Sequence, residues 1–504
     1  METIGNFITT ANNLVWANPL VFFILFASIY FSIRLGFMQV RNIPHQIKLL
    51  FKTSDSDAGI SPFETFCTVV GTRVGTANIA GVAVAVWSGG PGAILWMLIT
   101  SFLTTAIAYA ECSLGQVYKI RQDGEYRGGA YYYVQNGLGW TGVAKFFAII
   151  TLICVPIFTT APHANSITTA FQNSVGIPLW VTGLLAAVLL FVIISGGIKR
   201  IAKAASLMVP FMTLAYALLT IVMLVVYASK IPYALGTIVS SAFGMNAVFG
   251  GLLGSAISWG VKRSVNSSGA GMGENVPTAS ASECEHPGVQ GLVNSFSVFI
   301  DVAVCLCTGL IIILTDCFNV KGADGTIIHI GQGSSVMAEQ AATDSAGITW
   351  AQEAISTIIP SFGSLLLAIF LFFFAFTSVL NYYYQGETAI AFLLRNKTQN
   401  IRKKFIWALR ILMPLAFLFF AIQTSSHSFA AGELGVGVMV WCNVIILLIM
   451  SNTIVKVYKD YRSQYKAGKK PIFNPQKLGI KNADLWMEIN KNRFEQSNDS
   501  TDGG

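Results

Sequence analysis

Gly71–Gly81 reads GTRVGTANIAG, inside an otherwise hydrophobic segment that runs from about Pro62 to Trp87. Each of its glycines weakens a helix by about 1 kcal/mol relative to alanine. Its threonine and asparagine side chains can hydrogen-bond a backbone that leaves the helical path, and Arg73 adds a charge costing about 2.5–3.5 kcal/mol at membrane depth. Because lipid offers no water to free peptide groups, the stretch predicts a membrane helix broken to hold a solute. A lone glycine would instead indicate close helix packing.

The composition is that of a polytopic membrane protein. Of the 504 residues, 54% are hydrophobic and 11% are charged, against about 25% charged in an ordinary soluble domain. The net charge of +8 comes from basic residues in short loops and at the tail, so it does not indicate nucleic-acid binding. The eight cysteines lack the spacing of a zinc or thioredoxin site. We expect contact with membrane lipid and no obligatory protein partner.

Apolar runs of about 20 residues predict eleven membrane helices. They lie near 14–38, 62–87, 91–117, 143–171, 179–197, 206–228, 241–264, 288–316, 360–385, 402–424 and 432–455. The first run is too long for a signal peptide. The loop 317–359 should be irregular in its glycine-rich part, with a short amphipathic helix at 347–358.

Basic residues fix the expected orientation. Lys262 and Arg263 close the seventh helix, and the others follow the first, third, fifth and ninth helices: Arg41, Lys48, Lys52, Lys119, Arg121, Arg127, Lys199, Arg200, Lys203, Arg395, Lys397, Arg402, Lys403 and Lys404. By the positive-inside rule the N-terminus is outside and the C-terminus is cytoplasmic, in the cell membrane. The tail beyond Lys456 begins basic, which suits anionic lipid, and ends in a polar SNDSTDGG expected to be disordered.

A second cluster, Ser264–Gly273, reads SVNSSGAGMG and follows the sixth of the ten helices that remain when the first is set aside. Two interruptions at corresponding positions indicate an inverted-repeat transporter; a pair of structural glycine kinks is the alternative. The predicted fold is therefore an all-α polytopic membrane protein with a five-plus-five inverted repeat and discontinuous helices. Residues 1–58 would hold the extra helix and a loop, 59–230 and 231–455 the two repeats, and 456–504 the tail.

Several motifs resemble the alanine/glycine:cation symporter family of amino-acid transporters. They are VGTANIAGVAVAVWSGGPGAILWM (Val74–Met97), HANS (His163–Ser166), SSGAGMG (Ser267–Gly273), HPGVQGL (His286–Leu292), VFID (Val298–Asp301) and FAFTSVLNYYYQGE (Phe374–Glu387). The resemblance covers roughly residues 60–455. It implies a leucine-transporter-like fold, uptake of a small neutral amino acid, and coupling to sodium or sometimes protons.

The chain departs from the family pattern at several positions. The family usually has G-T-G-N where Gly75–Asn78 reads GTAN, and F-S-N-E-A-G where Asn266–Gly271 reads NSSGAG. It commonly has Gln at the position of His163, and a Gly-Trp pair at the position of Asn381-Tyr382. These differences cluster where the family binds its substrate. The class of transporter is therefore better indicated than alanine as the substrate.

A zwitterion at mid-membrane needs partners for both of its charges. Its carboxylate suits free backbone N–H groups at helix breaks, while its ammonium suits freed carbonyls and hydroxyls. The expected substrate-binding residues are Gly75, Thr76, Ala77, Asn78, Thr159, His163, Asn266, Ser267, Ser268 and Gly269. Because His163 and Asn266 are more polar than the family pattern, the hypothesis is a substrate larger or more polar than alanine, such as glutamine.

A co-transported sodium ion needs carbonyl and hydroxyl oxygens. Gly71 and Val74 precede the first break, and Thr377 and Ser378 are adjacent hydroxyls in an apolar run. The resemblance implies that these segments meet at one sodium site, with Phe374 adding a carbonyl. Back-bonding of the two hydroxyls within their own helix is the alternative. No organic cofactor is expected.

Three intramembrane charges, Arg73, Glu111 and Asp301, have no assigned role; they are either a structural network or a gate. The aromatic runs Tyr131–Tyr133 and Tyr382–Tyr384 suggest interfacial anchors. The chain has no phosphate-loop or H-E-x-x-H motif, so an ATP-driven pump and a metallohydrolase are disfavoured and no enzyme is expected. A channel, an amino-acid sensor on a transporter scaffold and a proton-coupled symporter are the remaining alternatives.

Overall fold

The computed structural model describes residues 2–51, 59–246, 248–343 and 346–491, with side chains from residue 7 onward. The predicted disordered end of the tail and Lys52 lie outside this part. The helices of the first half are α1 (Glu2–Val15), α2 (Asn18–Arg34), α3 (Met38–Arg41), α4 (Ile43–Leu50), α5 (Pro62–Arg73), α6 (Ala80–Gly89), α7 (Gly92–Val117), α8 (Ala130–Leu138), α9 (Thr141–Ile153), α10 (Thr160–Val175), α11 (Leu179–Ile194) and α12 (Gly197–Val226).

The second half continues the helical architecture. Its helices are α13 (Ile231–Ala242), α14 (Leu253–Ser268), α15 (Val276–Ser280), α16 (Pro287–Leu314), α17 (Val336–Ala342), α18 (Ile348–Ser356), α19 (Gly363–Leu393), α20 (Gln399–Ala421), α21 (Ser425–Ile449) and α22 (Ser451–Lys466). Two antiparallel hairpins add β1 (Ile120–Gln122), β2 (Glu125–Arg127), β3 (Asn319–Lys321) and β4 (Ile327–Ile330).

Seven helices in the described residues are long and apolar enough to cross a membrane. They are Gly92–Val117, Thr141–Val175, Gly197–Val226, Pro287–Leu314, Gly363–Leu393, Gln399–Ala421 and Ser425–Ile449. The bent pair Phe7–Val15 and Asn18–Arg34 would make an eighth. Apolar side chains such as Leu185 and Leu214 are 67% and 71% exposed, as expected of surfaces that face lipid. The chain is therefore a polytopic membrane protein; eleven spans remain a prediction.

The first predicted interruption is confirmed. A capping box of Ser61 and Glu64 starts α5, and the helix ends at Arg73 because Val74 leaves helical geometry at ψ 89°. Gly75 is extended, a single 3-10 turn covers Thr76–Asn78, and α6 begins at Ala80. We call residues 74–79 the first break.

The second interruption is also confirmed, with shifted bounds. Helix α14 runs through Ser268, so the first five residues of the predicted cluster are helical. The chain then unwinds over residues 269–275, the second break, where Gly269, Gly271 and Gly273 have φ values of 58°, 91° and 83°. Glycine adopts such conformations without the penalty that other residues incur, which is why the cluster is glycine-rich.

Other expectations need correction. The predicted helix 241–264 begins only at Leu253, as α14, because residues 243–246 and 248–252 form turns and a short 3-10 segment around glycines; α13 precedes it in a stretch where no helix was predicted. The loop 317–359 contains the β3–β4 hairpin where irregular structure was expected, whereas its predicted helix is present as α18. An unpredicted π-helical segment, Cys154–Thr159, contains Pro156 and lies between α9 and α10; proline cannot donate the regular helical bond there.

Helix α5 packs against α12, α16 and α19, and α7 packs against α14 and α16. The two breaks are therefore surrounded by other helices rather than by lipid, as free peptide groups in a membrane require. Beyond α22 the tail folds back on the protein: the buried indole of Trp486 donates to the carbonyl oxygen of Gln116 at 2.9 Å.

Candidate functional site

A cavity lies beside the first break, between α10, α14, α19 and α21. Its empty volume is about 380 Å³, counting the space that opens to solvent. The residues around it are Thr76, Ala77, Thr159, Pro162, His163, Arg263, Asn266, Tyr382, Phe429, Gly432, Glu433 and Val436. Five of the ten predicted substrate residues are among them: Thr76, Ala77, Thr159, His163 and Asn266.

His163 lies against the first break. Its Nδ1 is 2.8 Å from the carbonyl oxygen of Thr159, one helical turn earlier, and its ring meets that of Tyr382 edge-on at 5.4 Å. A Cβ on Gly75 would lie 2.7 Å from His163 Nε2. Only a glycine leaves room for this imidazole beside the unwound backbone.

The other predicted substrate residues do not line the cavity, and most of them bond within or between the breaks. The side chain of Asn78 accepts from the backbone N–H of Gly75 at 2.8 Å and donates to Asp301 Oδ1 at 2.6 Å. The hydroxyl of Ser267, beside the second break, donates to Asp301 Oδ2 at 3.0 Å. The carboxylate of Asp301 thus links both breaks.

Ser268 and Gly269 shape the start of the second break. The hydroxyl of Ser268 accepts from the N–H of Ala270 at 3.3 Å. Gly269 has no space for a side chain, because a Cβ there would overlap the carboxyl group of Glu274. These residues hold the local backbone conformation.

Glu111 and Arg73, whose roles were open, also lie among the breaks. Glu111 Oε2 accepts from the N–H groups of Gly271 and Gly273, each at 3.1 Å, and from Asn443 Nδ2 at 3.1 Å. Arg73 Nε donates to Ser297 at 2.8 Å. Within the described part of the chain, no carboxylate pairs directly with this guanidinium, and its Nη1 and Nη2 lack hydrogen-bond partners.

The predicted cation-binding residues come together at the end of α5. The hydroxyls of Thr377 and Ser378 lie 3.0 Å and 2.9 Å from the carbonyl oxygen of Gly71. Both also bond the carbonyl oxygen of Phe374, at 3.0 Å and 3.1 Å, so back-bonding and the contact with α5 coexist. Val74, the fifth of the predicted cation-binding residues, is buried where α5 ends.

An ion network that the sequence reasoning missed borders the cavity. Lys262 Nζ lies 2.6 Å from Glu433 Oε2, and Arg263 pairs with the other oxygen of the same carboxylate. The amide of Asn12 in α1 donates to the Glu433 carboxylate at 2.8 Å. The indole of Trp16 donates to the backbone carbonyl of Glu433, also at 2.8 Å. Lys262 and Arg263 were expected to close the seventh helix, but both are buried within α14, which continues to Ser268. Glu433 could have been found as a lone acid in an apolar run.

The aromatic runs also need correction. Tyr131–Tyr133 and Tyr382–Tyr384 are all buried, so neither run is an interfacial anchor. Tyr382 instead forms part of the cavity wall beside His163. Its departure from the family pattern was the available signal.

Two helix breaks buried among the helices, a cavity beside one of them, and hydroxyls directed at a helix-end carbonyl define a membrane transporter of the discontinuous-helix class. The crystal structure of MhsT in complex with L-phenylalanine has the same fold: the TM-score is 0.53 at 15% identity, and the match covers 81% of this chain and 93% of that one. The predicted leucine-transporter-like architecture is thereby confirmed at the level of the fold.

The model of the sodium:alanine symporter family matches residues 1–475, and the chain belongs to that family. It is 42% identical over 487 residues to YrbD of Bacillus subtilis (strain 168), named as a candidate sodium/proton-dependent alanine carrier; the match covers 96% of this chain and 97% of that protein. It is 33% identical over 475 residues, 94% of each chain, to GlnT of the same organism, named as a probable sodium/glutamine symporter. The chain is a transporter and not an enzyme.

Proposed function

We propose that this protein is a secondary active symporter that couples sodium influx to the uptake of a small neutral amino acid. The observation that carries the proposal is the convergence of Thr377 and Ser378 on the carbonyl oxygen of Gly71, at the break beside the cavity. Sodium coupling appears in the names of both relatives, which supports the same ion here. Oxygen atoms of Val74 and Phe374 would also coordinate an ion at this position.

The amino acid would lie in the cavity beside the first break. Its carboxylate would meet the N–H groups near Thr76 and Ala77, since the N–H of Gly75 is already bonded to Asn78. Its ammonium would meet freed carbonyls and Thr159. Ser267, Ser268 and Gly269 would act through the shape of the second break.

The cavity favours a polar substrate such as glutamine over alanine. Its wall carries the imidazole of His163, the amide of Asn266 and the phenol of Tyr382. His163 Nδ1 and Asn266 Nδ2 already bond backbone carbonyls. A polar substrate side chain could bond the other ring nitrogen of His163 and the amide oxygen of Asn266, whereas a methyl group could not, and polar groups left unpaired are costly. The name of GlnT supports glutamine as the first substrate to test.

Protons are the second candidate for the coupling ion, because YrbD is named for sodium/proton dependence. The oxygens around Gly71 belong to carbonyls and hydroxyls, which do not titrate near neutral pH, so this site would select sodium. A proton would need a carboxylate. Asp301 is the candidate, because it contacts both breaks.

We extend the proposal to the architecture. Eleven spans would form a five-plus-five inverted repeat, with residues 59–230 and 231–455 as the repeats, 1–58 as the extra helix and loop, and 456–504 as the tail. The occurrence of one break early in each repeat supports this division. Rocking of one bundle against the other would then expose the cavity alternately to each side. The N-terminus would be outside and the C-terminus cytoplasmic.

The test is uptake into proteoliposomes across the neutral amino acids, with and without an inward sodium gradient. Thr377→Ala and Ser378→Ala each remove one oxygen, and contacts to a charged group contribute about 1.5–3 kcal/mol. We therefore expect about a 10- to 150-fold rise in the sodium concentration for half-maximal uptake. Thr388→Ala is the matched control, because Thr388 lies on the same helix and back-bonds to Tyr384 at 2.9 Å.

Unchanged sodium dependence in the double variant would exclude the cation site. Saturation by alanine alone would exclude the polar-substrate hypothesis. Uptake that neither saturates nor follows the gradient would indicate a channel, and binding without accumulation would indicate a sensor.

A further inference from the structure

A second cleft lies far from the transport cavity, between α4 and the C-terminal end of α22. Its empty volume is about 730 Å³, counting the part open to solvent. Lys48 and His45 of α4 form one wall, and Tyr461, Tyr465, Lys469 and Lys470 form the other. The transport mechanism uses none of these residues.

The charges in this cleft are mostly uncompensated. Lys470 pairs with Glu285 at 2.5 Å, which is the carboxylate on the rim. For Lys48 and Lys469 the described residues contain no carboxylate partner within 4 Å. His45 is engaged by the hydroxyl of Tyr461 at 2.7 Å. Two ammonium groups that have no carboxylate partner among the described residues, together with nearby hydroxyls, make this a site for an oxyanion.

The surface next to the cleft is apolar and exposed. Val40, Ile47 and Phe51 are 55%, 41% and 74% exposed, although they lie within and just after two short helices that carry Arg41 and Lys48. An amphipathic helix of this kind lies in the interface of a bilayer with its apolar side chains among the acyl chains. The oxyanion site is therefore beside lipid.

We propose that the cleft between α4 and α22 binds the phosphate headgroup of an anionic phospholipid. The phosphate lies between Lys48 and Lys469 with Tyr465 at its edge, and the acyl chains run along Ile47 and Phe51. Free phosphate offers the same oxygens but no chains, so the apolar flank assigns the site to lipid. Polybasic segments at a membrane surface bind anionic lipid by the same attraction.

Such a lipid would join the N-terminal and C-terminal parts of the chain. Helix α22 also contacts the start of α16, where Asp460 bonds His286 at 3.1 Å and Tyr461 packs on Gly288. A bound headgroup would hold α4 to α22 and, through it, to α16. We therefore expect anionic lipid to raise the melting temperature of the whole protein.

The test uses the full-length protein in detergent, titrated with phosphatidylglycerol, phosphatidylcholine or inorganic phosphate. Native mass spectrometry counts bound lipid, and thermal unfolding reports its effect. Lys48→Gln with Lys469→Gln should weaken phosphatidylglycerol binding about 25-fold, since each surface lysine contributes about fivefold. Lys403→Gln with Lys404→Gln makes the same charge change on exposed lysines of α20 and should change binding less than twofold.

Equal binding of phosphatidylcholine, or an equal loss in the α20 control, would overturn the proposal. Displacement of phosphatidylglycerol by millimolar inorganic phosphate would also overturn it, because it would make the ligand a soluble anion. The double variant Lys48→Arg with Lys469→Arg retains both charges and should bind normally. Loss of binding in that variant would show that the site does not recognise charge.

Discussion

Gly75→Ala tests the site through a single added methyl group. The backbone at Gly75 has φ −135° and ψ −154°, which is extended, so alanine meets no penalty from the chain itself. The methyl would lie 2.7 Å from both His163 Nε2 and Ser378 Oγ. It therefore presses on the proposed substrate and sodium sites together.

The expected cost follows from overpacking. Adding a methylene to a close-packed interior costs about 1–3 kcal/mol, which corresponds to about a 5- to 150-fold fall in uptake efficiency if the neighbours move. Displacement of Ser378 should raise the half-saturating sodium concentration, and displacement of His163 should raise that of the amino acid. Both constants should increase in the same variant.

Gly81→Ala is the matched control in the same stretch. A Cβ there would have its nearest contact at 3.5 Å, with Ala77, and it lies within α6 where alanine favours the helix. Sodium-driven uptake into proteoliposomes, measured over both concentrations, compares the two variants. If Gly75→Ala kept the wild-type half-saturating concentrations of sodium and amino acid, or if Gly81→Ala impaired uptake equally, the close contacts at Gly75 would not be the cause.

Three further predictions concern stability. Glu433→Gln leaves Arg263 buried beside a neutral amide and should destabilise the protein by about 3–5 kcal/mol, seen as a lower melting temperature; Glu433→Asp retains the charge and should lose less, and equal losses would contradict this. Burial lowers the pKa of His286 from its ordinary 6.5, so the unfolded chain takes up the proton first and stability should fall as the pH drops below about 6.5. His286→Asn keeps a cap and should flatten that pH dependence; an unchanged slope would exclude His286 as its source. Trp486→Ala removes a buried indole and its bond to Gln116, which should lower the free energy of unfolding by about 3–5 kcal/mol. Limited proteolysis should then cut the tail of this variant faster than that of Trp486→Phe, which retains an aromatic ring. Equal cleavage of the two variants would contradict a role for packing.

The two breaks could be predicted from the sequence because their causes are local. Three glycines with positive φ unwind residues 269–275, and no distant partner is needed to recognise them. The bounds were less predictable: Ser264–Ser268 extends α14 although serine disfavours helices, because surrounding helices override propensity.

The cavity wall was predictable only in part. Thr76 and His163 came from motifs, and Tyr382 was noted as a departure from a motif but interpreted as an interfacial anchor. Glu433 was missed, because its role depends on neighbours far away in sequence. By charge alone, Lys262 and Arg263 were expected to close the seventh helix at its cytoplasmic end. Their pairing with Glu433, 170 residues beyond Arg263, keeps both inside α14.

Each break depends on a carboxylate from another helix. Unwinding at the second break frees the N–H groups of Gly271 and Gly273, and in lipid an unpaired peptide group costs several kcal/mol. Glu111 accepts both of them, from a position 160 residues from Gly271. Asp301 likewise accepts from Asn78 in the first break and from Ser267 at the second. A broken membrane helix and an acid on a neighbouring helix are therefore one physical unit. The buried acids that sequence alone left without a role are what allow the glycine-rich segments to stay unwound.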